Sequence, residues 1–468
     1  MRKNFKALSR VLALTACGLF PAIGASANDS ISMNLDKVLE VALSDNPDIQ
    51  VANRTIEIKK YAKKESITGL FPTVDLTVTG TRNFKIPTVN FGMGASASAA
   101  SSSAAAGTTM SQSDSLAAAA AAGGGFKMGK EKTFGWTGTV TLPLIVPQAW
   151  EAIKISQSSV ELAIEQARES KVSTISSVKK AFYQLLYARD SYDVLQASYK
   201  LADENLSLAR NSFNCDMVAE YDTLSAYVQK VSIEPSLLSM KNTLKLAEMQ
   251  LKVLMGVDVN EPIRFEGHLS DYEEKLFSDL MILKEDNGIE NNSSLVQIDI
   301  QKRQLILSER LNKLGYVPTV ALQYSMGRSL LMTNYNTSST LTLALNWTIF
   351  DGGSKYMKTK QNKLSIENLE QQQEYIKQQL EMSISSSINS IETAAEQVVS
   401  NKTSVYASQR AYEISAKRYE IGSGTQLEVN SSATSLQQTR LQYVQSIYDF
   451  VTAQASLEET LGKTITDK

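Results

Sequence analysis

The chain has 468 residues, 43% of them apolar and 21% charged, with a formal net charge of −2. That length supports one very large domain or about two or three ordinary ones, and the balance of charge gives no footprint for a nucleic-acid partner. With one histidine, His268, and two cysteines, no His/Cys metal centre is expected.

The N-terminus carries Arg2, Lys3, Lys6 and Arg10, then the apolar run Val11 to Ile23, then Ala25-Ser26-Ala27. This is the order of a secretory leader, residues 1–27, with cleavage after Ala27. A second reading takes Leu14-Thr15-Ala16-Cys17 as a lipoprotein box that would make Cys17 a lipid anchor, although apolar residues continue beyond it. Removing the four leader cations from a net −2 leaves −6. Cys215 then remains as an ordinary thiol with no partner for an internal disulfide. No later stretch reaches about eighteen apolar residues, so any membrane crossing has to be made by strands.

An internal repeat organises the chain beyond the leader. Gly69-Leu70-Phe71-Pro72-Thr73-Val74 matches Gly315-Tyr316-Val317-Pro318-Thr319-Val320, and at the same offset of 246 Asn46 falls on Asn292. Leu254-Met255-Gly256 aligns with Thr460-Leu461-Gly462 at an offset of 206, so the first half carries about forty extra residues. Those lie in the Ala/Ser/Gly stretch from about Gly94 to Gly125, which has almost no large apolar side chain and reads as a loop, about 88–130. The repeats are expected at 28–256 and 291–468, with a linker at 257–290.

Strict alternation marks two strand pairs. Val74, Leu76 and Val78 interleave with polar residues, as do Trp136, Val140, Leu142 and Leu144. Leu322, Tyr324 and Met326 repeat the pattern, then Leu341, Leu343, Leu345, Trp347 and Ile349. Strands are expected at about 73–82, 134–144, 319–327 and 340–349. Each has about the nine to ten residues that a tilted strand needs to cross a bilayer, with aromatic residues on the apolar face. Alternation alone also fits a soluble sandwich with one wet face. Four strands cannot close in lipid, so a barrel would be shared by about two, three or four copies.

Long segments with few breakers come after each pair: about Trp150 to Asn214 and Ala219 to Met255, then 351–421 and 426–462. Val178, Leu185, Tyr192, Tyr199, Leu206 and Phe213 stand seven apart, with Ala181, Ala188, Leu195, Ala202 and Ala209 three residues after the first five. At the offset of 206 come Ile384, Ile391, Val398, Val405, Tyr412 and Tyr419, partnered by Ser387, Ala394, Asn401, Ser408 and Ser415. Large knobs facing small holes in both halves predict a coiled-coil seam built twice. Its polar members suit helices that also face water.

The two helical hairpins turn near Phe213–Ala219 and Tyr419–Thr425, and an acid stands after each turn, Asp222 and Glu428. An acid there can simply complement a helix dipole. It can also form a carboxylate ring at the far mouth when copies assemble, favouring cations.

Asn46-Pro47, the paired Gly-x-x-Pro-Thr-Val turns, two strand pairs, duplicated long helices and Arg418-Tyr419-x-x-Gly422-x-x-Thr425-x-Leu427-Glu428-Val429 together resemble the TolC-like outer-membrane efflux proteins. The resemblance covers nearly everything after the leader. It implies an α plus membrane β-barrel fold: a homotrimer with a twelve-stranded barrel, four strands per chain, continued by a periplasmic α-helical tunnel. It also implies an extracellular loop at 82–133, a belt at 257–290, a periplasmic adaptor (membrane fusion) protein and an inner-membrane pump as partners, and outer-membrane lipid around the strands. Glu428 matches the family's first constriction acid. The second acid's place holds Ser431, and Gly424 stands where a basic residue is often found, so the double acidic ring and the locking salt bridge lack their usual residues. The glycine seen at 422 is Asp216 in the first half.

The expected activity is passive export as the exit duct of an efflux or type I secretion system, without cofactor or catalysis. The chain shows no clustered catalytic set, phosphate loop or nucleophile elbow. The competing reading is a structural coiled-coil spacer of the envelope with no open pore.

Overall fold

The computed structural model describes residues 31–86, 88–89, 126–127, 131–275, 289, 292–329 and 337–462. The leader 1–27 with Cys17, nearly all of the Ala/Ser/Gly stretch, and most of the linker from 276 to 291 lie outside these residues.

The chain opens with β1 (Ile31–Met33), α1 (Leu35–Asp45) and α2 (Pro47–Thr68). Asn34 caps α1 by accepting from the Lys37 amide at 3.1 Å. Asn46 precedes a proline and takes an extended ψ of 126°, which ends α1, while Pro47 suits the first turn of α2, where an amide would lack a partner anyway. Then come β2 (Thr73–Arg82), β3 (Thr88–Val89), β4 (Phe126–Lys127) and β5 (Lys132–Ile145). The helices α3 (Pro147–Asn214) and α4 (Glu220–Met255) form the first hairpin, and β6 (Ile263–Phe265) with a 3-10 helix (Leu269–Lys275) comes next. The second half holds α5 (Ser293–Leu314), β7 (Thr319–Ser329), β8 (Thr337–Asn346), α6 (Ser354–Glu420) and α7 (Gln426–Thr460). At 68 and 67 residues, α3 and α6 are each about 100 Å long at 1.5 Å per residue.

The fold divides into two units. One comprises the described residues of Pro47–Thr174, Ile282–Asn389 and Ser456–Lys468. It contains an antiparallel sheet in the order β2-β5-β7-β8. Val78 pairs with Trp136, Val140 with Tyr324 and Leu322 with Leu343, so apolar residues sit opposite one another on one face. A bulge separates Pro143 from Ile145 in β5, where the proline has no amide to give to the ladder. The outer strands β2 and β8 each have a free edge, and Val74 (76%), Leu76 (70%) and Leu343 (67%) are exposed. β8 starts and ends three residues earlier than the alternation suggests: Trp347 leaves the ladder and its indole N–H donates to the Tyr316 carbonyl at 3.0 Å. The helices of this unit bury Val160, Ala163, Ala167, Ile298 and Ile300 and add polar pairs beside them. Gln297 Nε2 donates to Glu169 Oε2 at 2.6 Å, Arg303 Nη1 lies 3.0 Å from Glu161 Oε2, and Lys302 Nζ lies 2.7 Å from Glu370 Oε1.

The other unit comprises the described residues of Met1–Asn46, Ile175–Met281 and Ser390–Ala455. Here the heptad positions form a core. Val178, Leu185 and Leu206 are buried together with all five small or leucine partners from Ala181 to Ala209, and Ile391, Ala394, Val398, Tyr412 and Tyr419 are buried in the second half. Phe213, the last knob of the first row, is exposed where the hairpin turns. β1 pairs in parallel with β6, and the 3-10 helix packs alongside, Tyr272 meeting Tyr183 edge-on at 5.2 Å between ring centres. Glu273 of that helix reaches both Lys402 Nζ and the Tyr443 hydroxyl at 2.7 Å.

The residues that marked the repeat prove to be bonded partners. Asn46 Nδ2 donates to the Leu254 carbonyl at 2.7 Å, and Asn292 Nδ2 donates to the Thr460 carbonyl at 2.8 Å. Each asparagine is buried and satisfies an otherwise orphaned carbonyl in the last turn of its repeat's final helix. Gly256 then needs its left-handed φ of 74°, and any side chain there would strike the Asp45 carbonyl.

Candidate functional site: the turns of the two helical hairpins

Both hairpin turns are built by the same backbone bonds. In the first, the amides of Asp216 and Met217 donate to the carbonyls of Phe213 and Ser212; in the second, those of Gly422 and Ser423 donate to Tyr419 and Arg418. This crossed pair satisfies the last helical carbonyls and requires a left-handed residue just past the helix, which is Asp216 at φ 58° and Gly422 at φ 74°. Asp216 thus adopts the backbone that its glycine counterpart adopts freely. Cys215 is exposed beside it.

Glu428 lies in the first turn of α7, where its amide donates to Thr425 Oγ1 at 3.3 Å. Its Oε2 stands 3.3 Å from Arg418 Nη1, with both side chains about half exposed. Arg418 Nη2 also donates to the Ser423 carbonyl at 3.1 Å, so one guanidinium ties the end of α6, the turn and the acid together. Gly424 explains the compactness. A Cβ there would come within 3.0 Å of Arg418 Cβ and 3.1 Å of the Tyr419 amide nitrogen, so the turn folds directly onto the end of α6. The acid's counter-charge therefore comes from Arg418, on the other arm of the same hairpin.

Asp222 occupies the first turn of α4 and is half-buried. Burial pushes the Tyr419 hydroxyl above its usual range and the Asp222 charge adds to the effect. That hydroxyl is enclosed without a hydrogen-bond partner, inside a cluster of Tyr412, Tyr419, Val429 and Leu436 packed by Leu201, Leu208 and Val218. Ser431 is exposed on α7, one turn beyond Glu428. The four sequence-predicted positions thus fall into two groups, Gly424, Glu428 and Ser431 around one turn and Asp222 at the start of the other hairpin's second arm. Arg418 and Tyr419 stand in the sequence motif, but their roles arise across a turn, where helical periodicity carries no signal.

Behind the turns the two hairpins are stitched by polar side chains. Asn430 Nδ2 donates to Ser225 Oγ at 3.0 Å, Gln229 Nε2 to Thr434 Oγ1 at 3.0 Å, and the Tyr412 hydroxyl to Asn205 Oδ1 at 3.1 Å. The partners are 205 to 207 residues apart, so nearly equivalent positions of the repeat face each other. On separation water can replace each of these bonds, whereas the apolar cluster of Tyr412, Tyr419, Val429 and Leu436 against Leu201, Leu208 and Val218 would have to be exposed.

A sequence profile described as "Outer membrane efflux protein" matches residues 38–257 and 289–463. "Outer membrane protein TolC" of Escherichia coli (strain K12) is 21% identical over 332 residues, 67% of this chain and 66% of that protein, so the chain matches just under two thirds of that relative's length. Among solved structures, the CmeC outer membrane channel of Campylobacter jejuni superposes with a TM-score of 0.69 at 14% identity, covering 95% of this chain and 90% of that one. The MtrE outer membrane channel of Neisseria gonorrhoeae, solved in its open state, gives a TM-score of 0.68 at 14% identity, covering 92% and 88%. At those identities the structural likeness is one of fold: strands and long helices in the architecture of outer-membrane channels. The profile spans most of the sequence, and the chain belongs to the outer membrane efflux protein family.

Proposed function

We propose that this chain is the outer-membrane exit duct of an efflux or type I secretion system, working as a homotrimer. Three copies supply a twelve-stranded barrel and a periplasmic helical tunnel. A periplasmic adaptor and an inner-membrane pump bring the solute and the energy, and the duct itself conducts passively. The observation that carries this reading is the four-stranded sheet. Among the described residues its edge strands β2 and β8 have no second neighbour, and the large apolar side chains Val74, Leu76, Val78, Leu341, Leu343 and Leu345 on them are exposed. Unpaired edge groups in hydrocarbon cost several kcal/mol each, and pairing β2 of one copy with β8 of the next removes them. No helix among the described residues is long and apolar enough to cross a membrane.

The hairpin turns are the proposed periplasmic gate. Copies of Glu428 place negative charge around the passage, with Arg418 as its counter-ion and Asp222 close behind. An exposed ion pair is worth roughly 0–1 kcal/mol, so Arg418 restrains the Glu428 side chain only weakly. Planar-bilayer recording of the purified protein tests the proposal: discrete, cation-selective steps are expected. A bilayer that stays silent at protein concentrations sufficient for insertion would favour the spacer reading.

A further inference from the structure

Asp190 and Asp193 stand three residues apart on one face of α3, and His268 reaches them from the segment between β6 and the 3-10 helix. One ligand atom of each lies within 4.8 Å of the other two, the single such group of metal-ligating side chains among the described residues. Asp190 Oδ1 is 2.8 Å from His268 Nδ1, and its Oδ2 accepts the Leu269 amide at 2.8 Å. The His268 amide in turn donates to Asp271 Oδ2 at 2.8 Å, and Leu269 is buried. The backbone on both sides of the imidazole is therefore anchored, which holds the ring over α3 with its Nδ1 against Asp190. The Asp190 side chain is 13% exposed and fixed, whereas that of His268 is 58% exposed and Asp193 is open to solvent.

We propose that Asp190, Asp193 and His268 bind a divalent transition-metal ion of the zinc type, with solvent completing the coordination. The donor set points to that class. Imidazole suits zinc and its neighbours, whereas calcium and magnesium prefer oxygen throughout. Two carboxylates neutralise a dication, and the Leu269 amide on Asp190 Oδ2 is the kind of outer bond that orients a ligating carboxylate. Zinc to nitrogen or oxygen distances of about 2.0–2.2 Å set neighbouring donors a little over 3 Å apart, so Asp190 Oδ1 and His268 Nδ1, now 2.8 Å apart, open slightly to admit the ion, and the exposed Asp193 has the rotamer freedom to complete the set. The composition argues against a His/Cys centre and does not bear on a site completed by carboxylates. An ion here would bridge α3 to the segment that continues into the 3-10 helix, replacing the Asp190–His268 hydrogen bond by a shared ligand.

Untagged full-length protein in detergent, titrated calorimetrically with zinc and followed optically with cobalt, tests this. Wild type is expected to take one ion per chain, with excess calcium failing to compete. His268→Ala and Asp193→Asn are each expected to weaken binding by more than about a hundredfold, beyond the roughly 10–100-fold that loss of an outer-shell partner commonly costs. Asp193→Asn leaves the Asp190–His268 contact in place, so its loss of binding is not a loss of fold. No zinc uptake by wild type would overturn the proposal, as would variants that bind as tightly as wild type.

Discussion

The hairpin turns show how single residues are selected by backbone geometry. Asp216 holds a left-handed φ of 58° that costs a side-chain-bearing residue about 1–2 kcal/mol, while Gly422 meets the same demand without strain. Asp216→Gly is therefore expected to raise unfolding free energy by about 1 kcal/mol, read as an increase in the denaturant midpoint; an unchanged or lower midpoint would show the aspartate compensated in place. Asn292 both caps α5, accepting from Ser294 N at 2.9 Å, and donates to Thr460. Asn292→Ala should cost about 2–3 kcal/mol, while Asn292→Asp, which keeps the cap acceptor and loses the donor, should also destabilise; a neutral aspartate would mean that the Thr460 bond contributes nothing. The same scale decides charge at the turns. Glu428→Gln is expected to lower cation selectivity and Arg418→Ala, by freeing the carboxylate, to raise it. Reversal potentials in asymmetric salt that stay put in both variants would exclude Glu428 from the conducting path.

Among elements, periodic ones are legible in the sequence and aperiodic ones are not. The heptads announce α3 and α6 because knobs and small partners recur in register, and alternation announces β2, β5, β7 and β8. The true end of β8 is hidden because Trp347 and Ile349 continue the apolar alternation after the ladder has ended. α2 gives no clear stripe: Val51, Ile58 and Tyr61 are exposed and only Ile49 is buried, so it lacks the one-sided pattern of a surface helix. The β1–β6 pairing and the His268–Asp190 contact join residues far apart in sequence without any local mark. Glu428 and Gly424 are found by position in a motif, but the Arg418 counter-charge depends on how tightly the turn folds.

The 3-10 helix adds a pH-dependent element. Burial tends to raise the Glu273 carboxyl, but hydrogen bonds from Lys402 and Tyr443 and the Lys402 charge outweigh it and hold the group below its ordinary value. A depressed folded-state value means stability present above the ordinary carboxylate range and lost as pH falls through the folded value. Between about pH 6 and pH 3 the advantage of wild type over Glu273→Gln in melting temperature should shrink; a gap that widens on acidification would reverse the assignment.

At the scale of the whole molecule, a single chain has more apolar strand surface and more unpaired strand edge than it can satisfy. Its sheet ends in β2 and β8 with apolar residues on view, and the helices of the same unit carry polar pairs such as Gln297–Glu169 and Arg303–Glu161 beside their buried apolar residues. Both features make sense when identical neighbours complete the barrel and the tunnel wall. The repeat explains how one chain provides two near-equivalent segments of that wall: Asn46 and Asn292 tie off matching helix ends, and equivalent positions of the two hairpins lie side by side.

The copy number of the detergent-solubilised complex tests this most directly. Mass measured by light scattering with the detergent contribution subtracted should correspond to three chains, and a monodisperse single chain that stays in solution without detergent would contradict the shared barrel and everything assigned to it.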